Sequence, residues 1–288
     1  MAEFGQSTIR GIDIEKVAKG YADEVNVFKK FLANSTTSAR EIRWYQKTAG
    51  FLTGVTTTGV TASPIANRSQ LALPTVIQPN VTRVTSYVRK YIAESPWMSL
   101  EDLNDTDPDM LLMMVRDVTR GVENQVDIRI YSVLSGGLAL SGAAAGTGWF
   151  DGTNGNPILD LLSGSANVRD NGYDISNMAL LIHPLDYKKL LNHLIIQRGS
   201  SIPAFSSGKV ETGVLLKLLN FDVVVSDNCT QTVATAIIPE RVATWKSFAG
   251  GIQAGYEDRV GIGRKFVVWE EGEILHTDLN AGFVVKGI

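Results

Sequence analysis

The sequence predicts an α+β fold, on three observations. A long stretch between two strand patterns carries almost no charge, one helix pattern is long enough to cross a whole domain, and the last third returns to strands after a mixed helix–strand region. The 288 residues allow one large domain or two small ones, with room for a sizeable core. Hydrophobic residues make up 44% of the chain and charged residues 20%, which places it among globular rather than disordered proteins.

Residues 8–32 mix Ile12, Val17, Val25, Phe28 and Leu32 with lysines and acids, a pattern of one or two short amphipathic helices. The polar run from Asn34 to Ser38 reads as a linker or flexible arm, and Glu41–Lys47 as a strand. From Ala49 to Pro79 the composition turns to Thr, Val, Gly and Ala. Arg68 is the one charged residue there, and Pro64, Pro74 and Pro79 argue against a helix. A second strand pattern, Asn80–Lys90, follows. Two strands flanking such a segment predict a long hairpin with a wide tip, and arms of about 15 residues reach roughly 50 Å. An uncharged two-stranded ribbon of that length is marginal in water and aggregates unless something covers it. The cover expected is another copy of the same chain.

The clearest helix starts near Thr106 or Asp107. Thr106-Asp-Pro-Asp109 supplies a capping residue, a proline for the first turn, and acids for the positive end of the helix dipole. Leu111, Val115, Val118, Val122, Val126, Arg129 and Val133 recur at three- and four-residue steps. Ser135-Gly-Gly137 then offers glycine for a left-handed cap. From Asp107 to Leu134 such a helix is roughly 42 Å long. Residues 138–156 are rich in Gly and Ala and read as a loop. Beyond Pro157 the pattern predicts helices over Ile158–Arg169, Pro184–Ile196 and Glu211–Leu219, with buried strands at Met178–Ile182 and Phe221–Val225. Strands are predicted at Thr235–Ile238, Val242–Trp245, Lys265–Trp269, Glu273–Thr277 and Ala281–Lys286.

The chemistry of an active site is missing from these patterns. Cys229 is the one cysteine, so there is no internal disulfide, and it reads as a small core hydrophobe. His183, His193 and His276 have no His or Cys at metal-ligand spacing, and His183 before Pro184 reads as a turn or helix cap. Asp105-x-Asp107-x-Asp109 lacks the glycine and distal glutamate of a calcium loop and reads as helix capping. Gly261-Ile-Gly263 lacks the third glycine of a dinucleotide site and precedes a strand. Trp245, Trp269, Phe248 and Tyr256 sit near Arg259, Arg264 and Lys265, but Glu257, Asp258, Glu270 and Glu271 cancel that charge, so sheet packing is the better reading than base stacking. A net charge of -3 argues against a dedicated DNA-gripping face. With no apolar run of ~18 residues and no signal-peptide pattern, a soluble protein made in a cytoplasm is expected, and the four Asn-x-Ser/Thr triplets are chance matches.

The order of these elements resembles the major capsid proteins of tailed phages, the Hong Kong ninety-seven type, whose fold the encapsulin nanocompartments share. Several phrases carry the resemblance. Val81–Glu94 followed by the helix from Thr106 looks like the family's passage from extended loop to spine helix. Ala179-Leu-Leu-Ile-His-Pro-Leu-Asp-Tyr-Lys-Lys-Leu-Leu191 looks like its strand–Asn/His–Pro–x–x–aromatic–helix phrase, and Leu218-Leu-Asn-Phe-Asp-Val-Val-Val-Ser-Asp-Asn228 looks like its strand in the axial lobe. Phe266 to Gly287 looks like its closing pair of peripheral strands.

The resemblance implies an N-terminal arm at 1–38, an extended β-hairpin loop with flanking strands at 39–94, and a peripheral domain with the spine helix at 95–138. It further implies a mixed α/β axial domain at 139–252 and C-terminal peripheral strands at 253–288. The implied function is a structural shell: hexamers and pentamers of an icosahedral capsid around double-stranded DNA, in the virion, without enzymatic activity or a cofactor. The inter-subunit contact residues expected at the loop tip are Ile65, Arg68, Leu71 and Leu73. Partners implied are the chain itself, separate scaffolding, portal and decoration proteins, and DNA bound without sequence specificity, but no membrane. No long helical segment precedes the arm, so a fused scaffolding domain is not expected. No lysine lies between Thr48 and Arg89, so the covalent crosslink of some relatives lacks its amine and the shell is expected to be held noncovalently. The alternatives are an encapsulin-like shell around protein cargo and, from another class, an α/β enzyme built on residues 139–252.

Overall fold

The structure, a computed structural model, describes residues 16–22, 27–48, 55–57, 69–71, 77–99, 108–142, 148–149, 155–194 and 217–288. A five-stranded sheet is built around one long hairpin, β13 (Ala243–Arg259) and β14 (Gly263–His276). β1 (Ala33–Thr37) adds to β13 in parallel, and β6 (Arg89–Glu94) and β7 (Met98–Ser99) add to β14 antiparallel. The hairpin turns at Gly261 and Gly263. Gly263 has φ +151° and lies so close to the Met98 carbonyl that an added Cβ would sit 1.7 Å from its oxygen, so only glycine lets β7 pair there.

A second sheet of six strands has the order β10 (Lys217–Leu218), β11 (Phe221–Val225), β9 (Met178–Ile182), β12 (Val233–Ile237), β15 (Gly282–Lys286), β8 (Leu140–Ser141). Every residue of β9 is buried, as the continuous apolar run requires. Two proline-started helices flank these strands. α2 (Pro157–Asp170) is capped by Asn156, whose side chain accepts from Leu159 N. α3 (Pro184–Asn192) is capped by His183, whose side chain accepts from Leu185 N, which is the capping role expected of that histidine.

The long helix, α1 (Pro108–Gly137), joins the two halves. Val115 and Val122 pack in a smaller cluster with Met98, Ile252, Phe266 and Val268 of the five-stranded sheet, together with Ala18 and Ala22 of helical residues 16–22. Val126, Ile130, Tyr131 and Leu134 enter the main core with Phe28, Trp149, Phe221 and Phe283. Thirty residues at 1.5 Å give about 45 Å, so a single element bridges both cores.

The predicted ribbon is present. β2 (Glu41–Lys47) pairs antiparallel with β5 (Val81–Tyr87), from Glu41↔Tyr87 to Lys47↔Val81, and β3 (Val55–Thr57) pairs with β4 (Ile77–Pro79). Partner numbers sum to 128 in the first ladder and 134 in the second, so the register slips by six residues between them.

Five sequence expectations change. Asn34–Ser38 is no free linker: Ala33–Thr37 is β1, whose backbone pairs with β13 while its polar side chains stay largely outward. Asn80–Lys90 is two strands, because the chain leaves the ribbon at Val88 and joins β14 as β6. Lys265–Trp269 and Glu273–Thr277 are one strand, β14, continuous through three glutamates. Lys217–Leu218 is the short strand β10 rather than helix end, since Leu219 takes φ 56° in a tight turn back to β11; residues 211–216 lie outside the described residues. The closing phrase does not form a pair of neighbouring strands. β14 lies in the five-stranded sheet and β15 in the six-stranded one, where Gly282 fits against the Ala236 carbonyl and the first four residues of β15 are buried.

The two glycines at the helix end do not form the expected left-handed cap. Gly136 and Gly137 are both helical, and neither adopts a left-handed conformation. Gly137 is small because the His276 imidazole lies over it, with Nδ1 2.2 Å from where a Cβ would stand. The capping residues Thr106 and Asp107 lie outside the described residues.

Candidate functional site

The site expected from sequence is the tip of the ribbon. Of its four residues Ile65, Arg68 and Leu73 lie outside the described residues. Leu71 is described: it sits in a turn, in the left-handed region with φ 70°, and is fully exposed. A fully exposed leucine in a conformation that disfavours bulky side chains gains nothing within its own subunit. Along the ribbon Tyr45, Val81 and Tyr87 are exposed too, and Ile92 follows on β6. Scattered exposed apolar groups are ordinary, but Tyr45, Val81 and Tyr87 fall together on one sheet of two described strands.

Reading the sequence missed what holds the base of this ribbon. β14 carries Glu270, Glu271 and Glu273, all buried, and each takes cations from distant segments. Glu273 accepts from Arg129 of α1, with Nη2 at 2.6 Å and Nε at 3.1 Å. Arg89, at the start of β6, places Nε 3.0 Å from its other oxygen, in a geometry that makes an ion pair but no hydrogen bond. Glu271 pairs with Arg40, just before β2, at 3.3 Å and with Lys90 at 3.5 Å. Both strands leaving the ribbon are thus fastened to one strand of the sheet.

Glu270 and Glu123 of α1 share Lys29. Its Nζ lies 2.5 Å from Glu270 Oε2 and 2.8 Å from Glu123 Oε2, and 5.4 Å from the centre of the Trp245 ring. Burial pushes the Glu123 carboxyl up to about 8, helped by the nearby Glu270 and opposed by Lys29. One turn on, Asp127 accepts from the backbone N–H groups of Val27 and Phe28 at 3.1 and 3.3 Å. Burial raises its carboxyl to about 6 against the pull of those two donors.

A second anchor ties the ribbon to the other half of the molecule. Lys47, the last residue of β2, donates its N–H to Thr277 O at 2.8 Å, and its carbonyl accepts from Leu279 N. Its Nζ donates to the Tyr173 hydroxyl at 3.2 Å, and that hydroxyl donates to the Asp278 carboxylate at 2.8–2.9 Å. The Arg241 guanidinium stacks over the Tyr173 ring, 4.7 Å from its centre. Burial and the Asp278 charge hold the Tyr173 hydroxyl well above its ordinary range, so it stays a donor.

The candidate chemical groups are packed as structural parts. Cys229 is buried, and burial raises its thiol to about 12, leaving no thiolate to react at neutral pH. His276 is buried and pushed down to about 4 by loss of solvent, so it is neutral at pH 7. Among the described residues no group of His, Cys, Asp and Glu is arranged to hold a metal, and no helix is long and apolar enough to cross a membrane. Gly261 and Gly263 form a hairpin turn with Val260 exposed at its tip, not a nucleotide loop.

The structure is similar along nearly its whole length to solved shell proteins. The capsid of a native GTA particle matches with TM-score 0.66 and 13% identity over 99% of this chain and 95% of that one. The virus-like particle from Pyrococcus furiosus matches with TM-score 0.61 and 12% identity, covering 96% and 98%. Mycobacterium phage Che8 gives 0.61 and 14%, covering 90% of each chain. The fold is therefore the Hong Kong ninety-seven type capsid fold that the order of elements resembled. No curated protein sequence matches. The profile of the phage capsid protein family matches residues 84–278, well over half of the sequence, and the chain belongs to that family.

Proposed function

We propose that this chain is the major capsid protein that tiles an icosahedral shell of hexamers and pentamers around double-stranded DNA, held by noncovalent contacts and assembled in a host cytoplasm. Its membership of a phage capsid family supports a structural shell role, and the observation that carries the finer reading is the ribbon. Among the described residues it carries the exposed apolar side chains of Tyr45, Val81 and Tyr87, and it is fastened at its base by ion pairs and backbone hydrogen bonds to both halves of the molecule. A projecting element with a rigid root and a sticky length is suited to lie on a neighbouring subunit. Ile65, Arg68, Leu71 and Leu73 form the contact in this reading. The five-stranded sheet with α1 serves as the peripheral body, the six-stranded sheet as the axial one, and residues 1–38 as the arm. Scaffolding, portal and decoration functions fall to separate proteins, and DNA is enclosed without base-specific contacts.

Burying about 400 Å2 of apolar surface per loop contact gives about 10 kcal/mol before ordering and association costs are subtracted. The double variant Leu71→Asp and Leu73→Asp places two charges in that contact while leaving the described cores untouched. It is expected to give a folded subunit, with a wild-type circular dichroism spectrum, whose yield of sedimenting particles falls at least tenfold. Particle yields equal to wild type would remove the loop tip from the assembly contact.

A further inference from the structure

The ladder at the root of the ribbon has two unlike faces, since alternate residues and their cross-strand partners share a side. Ile42, Trp44 and Gln46 share the side toward the body: Ile42 is buried, and Gln46 donates to His276 O at 2.9 Å. The other side holds the pairs Glu41↔Tyr87, Arg43↔Thr85 and Tyr45↔Arg83, all exposed. Tyr45 and Tyr87 are each 66% exposed. Glu41 is the one acid on this side, and Arg43 takes it at 2.7 Å. That leaves the exposed Arg83 guanidinium without an acid of its own among the described residues. Arg40, Arg89 and Lys90 extend the positive rim toward the body. Tyrosine and arginine are the residues that protein interfaces favour as anchors.

The complementary charge lies elsewhere in the same sequence. Residues 100–109 carry five acids, Glu101, Asp102, Asp105, Asp107 and Asp109, and no cation. We propose that this acidic segment of one copy docks on the Tyr–Arg face of the ribbon of a second copy. The contact rests on the shell reading and names what the ribbon root meets on its neighbour. Within one subunit the two surfaces stand too far apart to touch. Gly137, at the end of α1, lies under the His276 ring, and His276 O holds Gln46, so the ribbon sits at the C-terminal end of that helix. The acidic segment leads into its N-terminal end at Pro108, about 45 Å away. Along β14, Arg264 pairs with Met98 and Glu271 pairs with Arg40, a separation of about 23 Å. Residues 100–107 lie outside the described residues, and a stretch of that length running out and back covers about 13 Å. Opposite charges across such a contact select the correct face of the neighbour and speed the encounter.

The test is a charge swap in the full chain, read as the yield of sedimenting particles and as the urea midpoint of unassembled protein. One variant carries Arg43→Glu and Arg83→Glu, and another carries Glu101→Lys, Asp102→Lys and Asp105→Lys. Each is expected to lower the particle yield about tenfold or more with an unchanged midpoint. All five changes together are expected to bring the yield back to within about threefold of wild type. Wild-type yields from both reversed chains would overturn this contact and leave the shell reading standing. A combined variant no better than either set would overturn it too, because the face would then meet something other than the acidic segment. Midpoints that fall in each set and recover in the combination would place the contact inside one subunit, against the proposal. A wild-type chain that forms no particles, even with a scaffolding partner co-expressed, removes the shell reading itself and the docking with it.

Discussion

Phe283→Ala is expected to lower the unfolding free energy of the subunit by about 3–5 kcal/mol, read from urea denaturation of unassembled protein. Phe283 is fully buried at the centre of the main core, edge-on to Phe221 with ring centres 6.0 Å apart. Its surroundings place the loss at the upper end. A Cβ on Gly164 of α2 would stand 2.2 Å from the Phe283 ring, and one on Gly142 would meet Val285 at 2.6 Å and the ring at 3.6 Å. The helix and the strand end have both given up side chains to house this ring, so little is available to fill the void it leaves. The two sites are therefore expected to couple. Gly164→Ala alone is expected to cost about 1–3 kcal/mol by overpacking, and the same change in the Phe283→Ala background to cost much less or to stabilise. Strict additivity would contradict the packing described.

Glu273→Ala is expected to cost about 2–4 kcal/mol, because it leaves the Arg129 guanidinium half-buried without its carboxylate. Arg89, whose side chain is 57% exposed, regains water and adds little to the loss. Glu271→Ala provides the contrast. Its partners Arg40 and Lys90 have side chains 67% and 47% exposed, so the expected loss is under about 1 kcal/mol. Two glutamates two residues apart on one strand thus differ through the exposure of their cations. Chemical denaturation of the two single variants checks this, and equal losses would contradict it.

Much of the fold was legible because its elements carry their own periodicity. The helix containing Val115, Val122 and Val126 declared itself by spacing, and β9 and β11 by short apolar runs bounded by turn residues. The ribbon was legible from composition, since a long uncharged stretch between two strand patterns has few other stable solutions. β1 was not legible. Its Ala-Asn-Ser-Thr-Thr sequence is that of a loop, and what makes it a strand is backbone pairing with the edge of β13, which side-chain patterns do not record. β14 was read as two pieces because its glutamates look like solvated breaks. They are buried because their cations arrive from elsewhere in the chain: Lys29 lies 241 residues from Glu270, and Arg129 lies 144 from Glu273. The same separation hid the cluster around Glu123 and Asp127, two acids on a helix face whose partners are set only by the tertiary fold. The candidate contact at the ribbon tip came from the resemblance and from exposed apolar character, and Leu71 is its one member among the described residues.

The central claim, that copies of this chain build a closed shell, is tested most directly by electron microscopy of the protein expressed alone and separated by size exclusion. The account predicts uniform closed particles, or rings of five and six subunits, eluting far ahead of a 31.3 kDa monomer. Shells filled with a protein cargo would replace the DNA-enclosing role with that of a nanocompartment. A monodisperse species near 31.3 kDa at every salt and pH tried, even with a scaffolding partner co-expressed, would contradict self-assembly as the function of this fold.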